Sequence, residues 1–184
     1  DTPAATTWTV SLDLDGRLGP GTKIAPPVSA TLYGRPTGLA RSALVHVQGK
    51  KPAVEAGRAL MAALKDHLAQ PVELAKAEAQ QLAQAGSEGM KDVAPKVAEH
   101  LQGALDTLLL LDAESEFASR MGTQRVWYEA RGTLRVWDAW TGEQVTQVSA
   151  TVTEAGLGEE RAESAARESL GRELAGKLKQ TLGL

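Results

Sequence analysis

Three runs of alternating apolar and polar residues follow one another in the second half of the chain. They cover about 107–118, 125–138 and 144–153 and are rich in Leu, Val, Thr and Trp. Alternation with a period of two is typical of β-strands that bury one face. The sequence DAWTGE at 138–143 separates the last two runs, and its Gly142 can adopt the positive φ of a tight hairpin. The pattern therefore predicts an antiparallel meander of three strands.

Before and after this meander, apolar residues recur at intervals of three and four positions instead. Small and apolar residues recur every four positions from Ala162 to Leu182, which predicts a helix over about 159–182. A similar pattern predicts a helix over 52–69, directly after a short apolar strand at 43–48. Between 69 and 105 we expect a weak strand near 72–75 and two helices, at 75–85 and 93–105. The residues Gly86-Ser87-Glu88-Gly89 would separate these helices, with Asp92 as the N-cap of the second.

The first forty residues differ from the rest because Gly and Pro interrupt them repeatedly. Alternation at 8–14 and an apolar run at 28–33 predict two short strands. We expect these strands either to extend the main sheet or to form a hairpin against it. The predicted organisation is an N-terminal extension, 1–42, and a sandwich domain, 43–184.

The predicted fold class is α/β (α+β), a mixed sheet with helices packed on one face. Strand 43–48, the weak strand near 72–75 and the meander would form the sheet, and helices 52–69 and 159–182 would cover it. The expected core consists of apolar residues that share this interface, namely Leu44, Val45, Leu60, Leu64, Leu101, Leu109, Leu111, Val126, Leu134, Val136, Val148, Val152, Leu170 and Leu174.

Composition excludes several classes of function. The 184 residues carry a net charge of −3 and no cysteine, so there is no global attraction to nucleic acid. Disulfides, thiolate nucleophiles and Cys-ligated zinc are also excluded. The three histidines, His46, His67 and His100, lie in separate predicted elements, so neither a metal site nor a cofactor is expected. The chain begins DTPAATT without an initiator Met, which suggests the mature part of an exported protein.

The central strand carries the candidate site residues. Its odd-numbered side chains, which include Trp127, Arg131, Arg135 and Trp137, point away from the helix-covered face. With Trp140 in the hairpin, these five residues are the predicted partner-binding set, because Trp and Arg often anchor interfaces. The alternative is structural: each Trp covers the sheet or packs against residues 1–42.

Three carboxylates at alternate positions precede this strand, namely Asp112, Glu114 and Glu116. If they share the face of Arg131 and Arg135, they form cross-strand ion pairs. Paired carboxylates also serve glycosidases, but acidic residues along an exposed strand are mostly a solvated face. We expect no catalytic residues.

Residues 43–182 resemble a group of bacterial envelope domains. The group includes the curli-secretion lipoprotein, the lipoprotein activators of penicillin-binding proteins, the flagellar T-ring assembly protein and the N-terminal domain of the Tol-system propeller protein. The resemblance lies in the strand Ala43–Val47 with its helix, the segment Leu105–Leu111, the hairpin RVWDAWTGE at 135–143 and the terminal helix Ala162–Leu182. The cysteine that anchors the lipoprotein members is absent from this sequence.

The resemblance implies a non-catalytic module of the periplasm or outer envelope that acts in binding or assembly through protein–protein contacts. The expected partner is an envelope protein, or a second copy of the chain, and a membrane would be reached only through a lost anchor. The alternative function is binding of carbohydrate or peptidoglycan by the face that carries the tryptophans.

Overall fold

The computed structural model of the protein describes residues 6–9, 29–32, 39, 41–46, 54–68, 71–101, 104–122 and 125–184. The chain divides into two compact units, Asp1–Pro36 and Thr37–Leu184. In the first unit, β1 (Thr6–Thr9) pairs antiparallel with β2 (Ser29–Leu32). These strands form a sheet of their own, so of the two expected arrangements the extension of the main sheet is wrong, and the two strands pair with each other as in a hairpin. Residues 10–14 of the predicted first strand lie outside the described residues.

The second unit contains a four-stranded mixed sheet, as predicted. Its order is β3 (Ser42–His46), β4 (Thr107–Met121), β5 (Arg125–Asp138) and β6 (Gln144–Leu157). β3 runs parallel to β4, and the other two pairs are antiparallel. The predicted meander is therefore confirmed.

The predicted strand near 72–75 is wrong. Residues 71–75 have no regular structure, although the Val72 N–H donates a hydrogen bond to the Ser42 carbonyl at 3.0 Å. Only three residues separate Val72 from the first residue of the next helix, which leaves little length for a strand ladder. Within the part of the chain that the structure describes, this segment therefore passes β3 with one backbone hydrogen bond to it rather than a ladder.

Two helices cover one face of the sheet. They are α1 (Val54–Leu64), which continues into a 3₁₀ turn at Lys65–His67, and α3 (Glu159–Leu182). A side chain on Gly171 of α3 would collide with the Ala56 carbonyl of α1, so this glycine permits the two helices to touch. Leu170, Leu174 and Leu178 are buried beneath them together with Ala130, Leu134 and Val136 of β5. The predicted helix-covered face is thus confirmed.

A third helix, α2 (Lys76–His100), packs on the opposite face at one end of the sheet. Gly86 interrupts it with φ 56° and ψ −156°, which matches the predicted break. The helix nevertheless runs through Asp92, so the N-cap expected there is wrong; the chain returns to helical geometry soon after Gly86. This helix builds a second apolar cluster, formed by Ala43, Val45, Leu82, Met90, Ala94, Val97, Ala98, Leu105, Leu108, Leu110, Trp137 and Ala139.

The core largely follows the sequence pattern. Of the predicted core residues, Leu44, Leu101 and Val152 are half-buried, and the others are buried. The apolar residues of β4 serve both clusters, because Leu109 and Leu111 face α1 and α3 while Leu108 and Leu110 face α2. This double burial explains why Thr107, the first residue of β4, is followed by four consecutive leucines rather than by an alternating pattern.

Candidate functional site

The part of the second sheet face that α2 leaves uncovered is a polar surface, the open face. It is built from rows of paired residues across three strands: Glu114, Arg131 and Thr151 form one row, and Asp112, Thr133 and Ser149 form the next. Side chains alternate along each strand, so residues in such rows share one face. The predicted alignment of the acidic residues of β4 with Arg131 is therefore found in the structure.

Arg131 is the centre of this face. It is ion-paired with Glu114 and lies 3.8 Å from Glu116, all with largely exposed side chains. The hydrogen bond and charge of Glu114, followed by the charge of Glu116, raise the pKa of Arg131 above its ordinary value. Arg135 has no acidic partner among the described residues and donates from Nε to Gln147 Oε1 at 3.2 Å.

The middle of the open face contains a shallow depression of about 270 Å³. Its lining residues are Asp112, Ala113, Glu114, Arg131, Gly132, Thr133, Ser149, Ala150 and Thr151. The Thr133 and Ser149 hydroxyls lie 3.0 Å apart across its floor. The depression offers hydroxyls and charged groups on a solvent-exposed floor, and Trp127 is not among the residues that line it.

The carboxylates of β4 lack the surroundings of a catalytic pair. Glu114 is held by Arg131, and Glu116 is more than half exposed. Elsewhere in the part of the chain that the structure describes, no group of three His, Asp or Glu side chains could hold a metal ion. His100 is exposed, 3.6 Å from Glu78, and the side chain of His46 lies outside the described residues.

An apolar group lies at the far end of the open face, where β4 turns into β5. Met121, Arg125 and Leu157 form one row of the sheet, and Trp127 stands in the neighbouring row opposite Ala155. Met121 is 70% and Leu157 63% exposed, and the Arg125 guanidinium lies over the Trp127 ring at 5.5 Å. We call Met121, Arg125, Trp127 and Leu157 the distal patch.

Sequence reasoning found Trp127 but missed Met121 and Leu157. Both lie at the ends of their strands, where the β4 run was expected to stop at about 118 and the β6 run at about 153. The strands continue to Met121 and Leu157. The available signal was the apolar character of these two residues beside the turn glycines Gly122 and Gly158.

Trp137 requires a correction, because it was expected on an accessible surface. It is only 5% exposed and belongs to the cluster beneath α2. Its indole Nε1 has no hydrogen-bond partner among the described residues. The reason is that α2 packs on this end of the sheet and covers Trp137 with its apolar side chains from Leu82 onward.

Trp140 lies in the β5–β6 turn and is 41% exposed. Asp138 shapes the turn, since its Oδ1 accepts hydrogen bonds from the backbone N–H of Trp140 at 2.9 Å and of Thr141 at 3.0 Å. The same turn packs against α2 through Gly142. The five predicted residues therefore do not form one surface: Trp127, Arg131 and Arg135 follow the open face, whereas Trp137 is buried and Trp140 is in the turn.

No family model matches the sequence, and no curated protein matches it. The fold is similar to that of the hypothetical protein CT253 from Chlamydia trachomatis, with a TM-score of 0.54 and 11% identity over 78% of this chain and 97% of that chain. Lipoprotein GNA1162 from Neisseria meningitidis is 17% identical over 79% of this chain and 99% of its own, with a TM-score of 0.46.

A further similar structure is the PelC dodecamer from Paraburkholderia phytofirmans, with 18% identity over 77% of this chain and 88% of that chain and a TM-score of 0.46. At TM-scores below 0.5 the last two likenesses carry no argument. Within the described residues, no helix has the length and apolar character needed to span a bilayer. The comparison with CT253 shows the fold, a mixed sheet between helices that is shared with another bacterial protein.

Proposed function

We propose that this chain is a non-catalytic module of the bacterial cell envelope that binds a partner protein through the distal patch. The observation that carries the proposal is the exposure of two large apolar side chains, Met121 and Leu157, beside Trp127 on one sheet face. Single exposed apolar residues are ordinary, but adjoining ones mark interaction sites.

The composition of the distal patch fits a protein partner. Trp, Met and Arg are enriched at the centres of protein interfaces, where they supply large contact areas. The Arg125 guanidinium lies over the Trp127 ring at 5.5 Å, a cation–π contact that favours this arrangement of the two side chains before a partner arrives. Such preorganisation lowers the entropy that binding must offset.

The location in the envelope rests on the resemblance of residues 43–182 to envelope accessory domains. That resemblance includes the order of strand, helix, meander and terminal helix, and the hairpin sequence at 135–143. The chain would meet the partner in the periplasm or at the outer envelope.

Carbohydrate or peptidoglycan binding is the second candidate, and the depression on the open face favours it. Its floor presents Thr133, Ser149 and Arg131, which can exchange hydrogen bonds with sugar hydroxyls. Sugar sites usually combine such groups with an aromatic platform. Here the nearest candidate, Trp127, lies outside the depression, so we rank this function second.

The test replaces distal-patch residues and measures capture of a partner in the envelope. A photo-crosslinking amino acid at Met121 should give one discrete protein adduct in intact cells. The substitution Leu157→Ser should abolish that adduct, whereas Val145→Ser, at an equally exposed position of the same strand, should not. Absence of any protein adduct at position 121 would overturn the proposal.

A parallel titration addresses the second candidate. Intrinsic fluorescence of the full chain is followed as peptidoglycan fragments are added, with Thr133→Ala and Trp127→Phe as variants. If protein binding is correct, the fragments leave the spectrum unchanged. Saturable binding that Thr133→Ala weakens would instead support the carbohydrate function.

A further inference from the structure

The long strand β6 forms one edge of the main sheet. Among the described strands, β6 pairs only with β5. The Lys177 ammonium donates to the Ser149 carbonyl at 2.8 Å, from the side away from β5. Because backbone groups alternate in direction along a strand, the N–H and C=O groups of Thr151, Thr153 and Ala155 also face outward.

The other exposed edges carry protection against pairing. The carbonyl of Ser42 in β3 already accepts the Val72 N–H. Among the described residues, no strand pairs with the outer side of β4 beyond Leu111, but β4 presents Asp112, Glu114 and Glu116 there and a register shift between Phe117 and Ser119. Charges and bulges are the devices by which proteins prevent edge strands from adding another strand.

The β6 strand itself has few of these devices, although the Lys177 ammonium of α3 covers the Ser149 carbonyl. From Gln144 to Leu157 it contains no proline and one charged residue, Glu154, and its one register shift lies near its start, opposite Val136 and Trp137. Glu154 points to the helix-covered side, where Ser169 Oγ donates to it at 2.6 Å. As far as the described residues show, the edge from Thr151 to Leu157 is therefore free to pair with a further strand, and at Ser149 that strand would displace the Lys177 ammonium.

We infer that this edge pairs antiparallel with β6 of a second copy, about a two-fold axis at Val152. In this register Val152 lies opposite Val152 of the second copy. Thr151 lies opposite Thr153 and Glu154 opposite Ala150, so no two carboxylates face each other. Like charges directly opposite would destabilise the pair, whereas Thr–Thr and Val–Val pairs favour it. The axis is perpendicular to the sheet, which keeps the helices of both copies on one face.

The helix beside the edge is also compatible with its own copy. The flank of α3 above β6 carries both signs of charge in i,i+4 pairs, Glu168 with Arg172 and Glu173 with Lys177. In the dimer, the α3 helices of the two copies run antiparallel, and this arrangement can bring acidic residues of one helix near basic residues of the other. In the dimer, the partner's β6 would supply an N–H to the Ser149 carbonyl in place of Lys177. This interface is separate from the distal patch and goes beyond the proposed function.

The test measures the mass of the full chain by sedimentation velocity across a concentration series. The wild type should show a concentration-dependent dimer. The double substitution Thr151→Lys and Thr153→Lys places lysines opposite lysines and should raise the dimer Kd at least tenfold. Ser119→Lys, an equally exposed residue on the protected edge of β4, should leave the Kd unchanged, and melting curves verify that all variants fold.

A cysteine variant tests the register. The sequence contains no cysteine, so Val152→Cys can form a disulfide only between two copies. Residues facing each other at a non-hydrogen-bonded position are close enough for this bond. We expect a covalent dimer with Val152→Cys and none with Thr146→Cys. A chain that stays monomeric at all concentrations, or a dimer unaffected by both lysines and lacking the position-152 disulfide, would overturn the inference.

Discussion

Gly142 in the β5–β6 turn lies directly against the backbone of Lys91 in α2. A Cβ atom on Gly142 would come within 2.5 Å of the Lys91 Cα and 2.9 Å of the Met90 carbonyl oxygen. The residue also has φ 64°, a conformation that L-residues with a side chain rarely adopt. The turn glycine thus serves the hairpin and its contact with α2 at the same time.

Gly142→Ala should therefore destabilise the fold through two effects. Displacing a packed backbone typically costs about 1–3 kcal/mol, and the left-handed conformation adds about 1 kcal/mol. Gly122→Ala is the matched control, because Gly122 has φ 65° in a hairpin turn but no atom within 4 Å of its Cβ position. Urea unfolding measures both, and equal losses of free energy would show that the contact with α2 contributes nothing.

The two tryptophans at this end of the sheet should respond differently to truncation. Trp137→Ala should lower the free energy of unfolding by about 3–5 kcal/mol, since it empties a buried site between α2 and the sheet. Trp140→Ala should cost less than about 1 kcal/mol, because surface substitutions cost little and the turn hydrogen bonds use its backbone N–H rather than its side chain. Chemical denaturation of both variants is the measurement; similar losses would contradict the assigned burial.

These results indicate which parts of the molecule the sequence can predict. The meander and α3 follow directly from their periodicities, because period two and a four-residue repeat are local signals that packing reinforces. Helix α3 begins at Glu159 and ends at Leu182, as the pattern predicts. The helix-covered face of β5 follows from the same alternation.

The sequence did not reveal that α2 covers part of the sheet face that points away from α1 and α3. The alternation of β5 places the Trp137 side chain on the sheet face away from Val136. It does not tell which helix, if any, covers Trp137 on that face. The signal was indirect: Ala43, Val45, Leu108 and Leu110 are apolar on that face too, which requires a second cover. Long-range packing of α2 therefore decided whether a tryptophan of the predicted binding set was buried or accessible.

The pair formed by Arg41 and Asp106 ties the start of β3 to the start of β4. Arg41 Nε and Nη2 donate to the two carboxylate oxygens of Asp106 at 2.5 and 2.7 Å, and both side chains are mostly buried. The Asp106 N–H also donates to the Arg41 carbonyl at 3.0 Å. Such a fork-like pair is stronger than an exposed ion pair.

Asp106→Ala should consequently remove about 1.5–3 kcal/mol, the typical worth of hydrogen bonds to a charged group. Glu168→Ala is the control, because its pair with Arg172 is long, at 3.8 Å, and exposed; it should cost less than about 0.5 kcal/mol. The measurement compares the midpoints of the urea unfolding curves of the two variants, provided that the dependence of the unfolding free energy on urea concentration is the same. If Asp106→Ala unfolds no earlier than Glu168→Ala, the pair does not hold the parallel strands together.

Tyr128 links the sheet to the first turn of α3 through its electrostatic surroundings. It lies on the helix-covered side, half-buried, with the Phe117 ring edge-on at 6.1 Å. Burial raises the pKa of the Tyr128 phenol above 10, and the charges of Glu159 and Glu163 raise it further, against smaller opposing effects of Arg120 and Arg167.

This raised pKa predicts a loss of stability in alkali. Above pH 10 the phenol ionises in the unfolded chain but stays protonated in the folded one, so the unfolded state binds fewer protons and the free energy of unfolding falls as the pH rises. Tyr128→Phe should remove this part of the decline, which urea titrations between pH 9 and 11 can measure. Glu159→Gln should lower the pKa of Tyr128 in an ultraviolet titration, whereas Glu160→Gln, one residue along α3, should leave it unchanged. Identical pH dependence for wild type and Tyr128→Phe would mean that the phenol ionises equally well in both states.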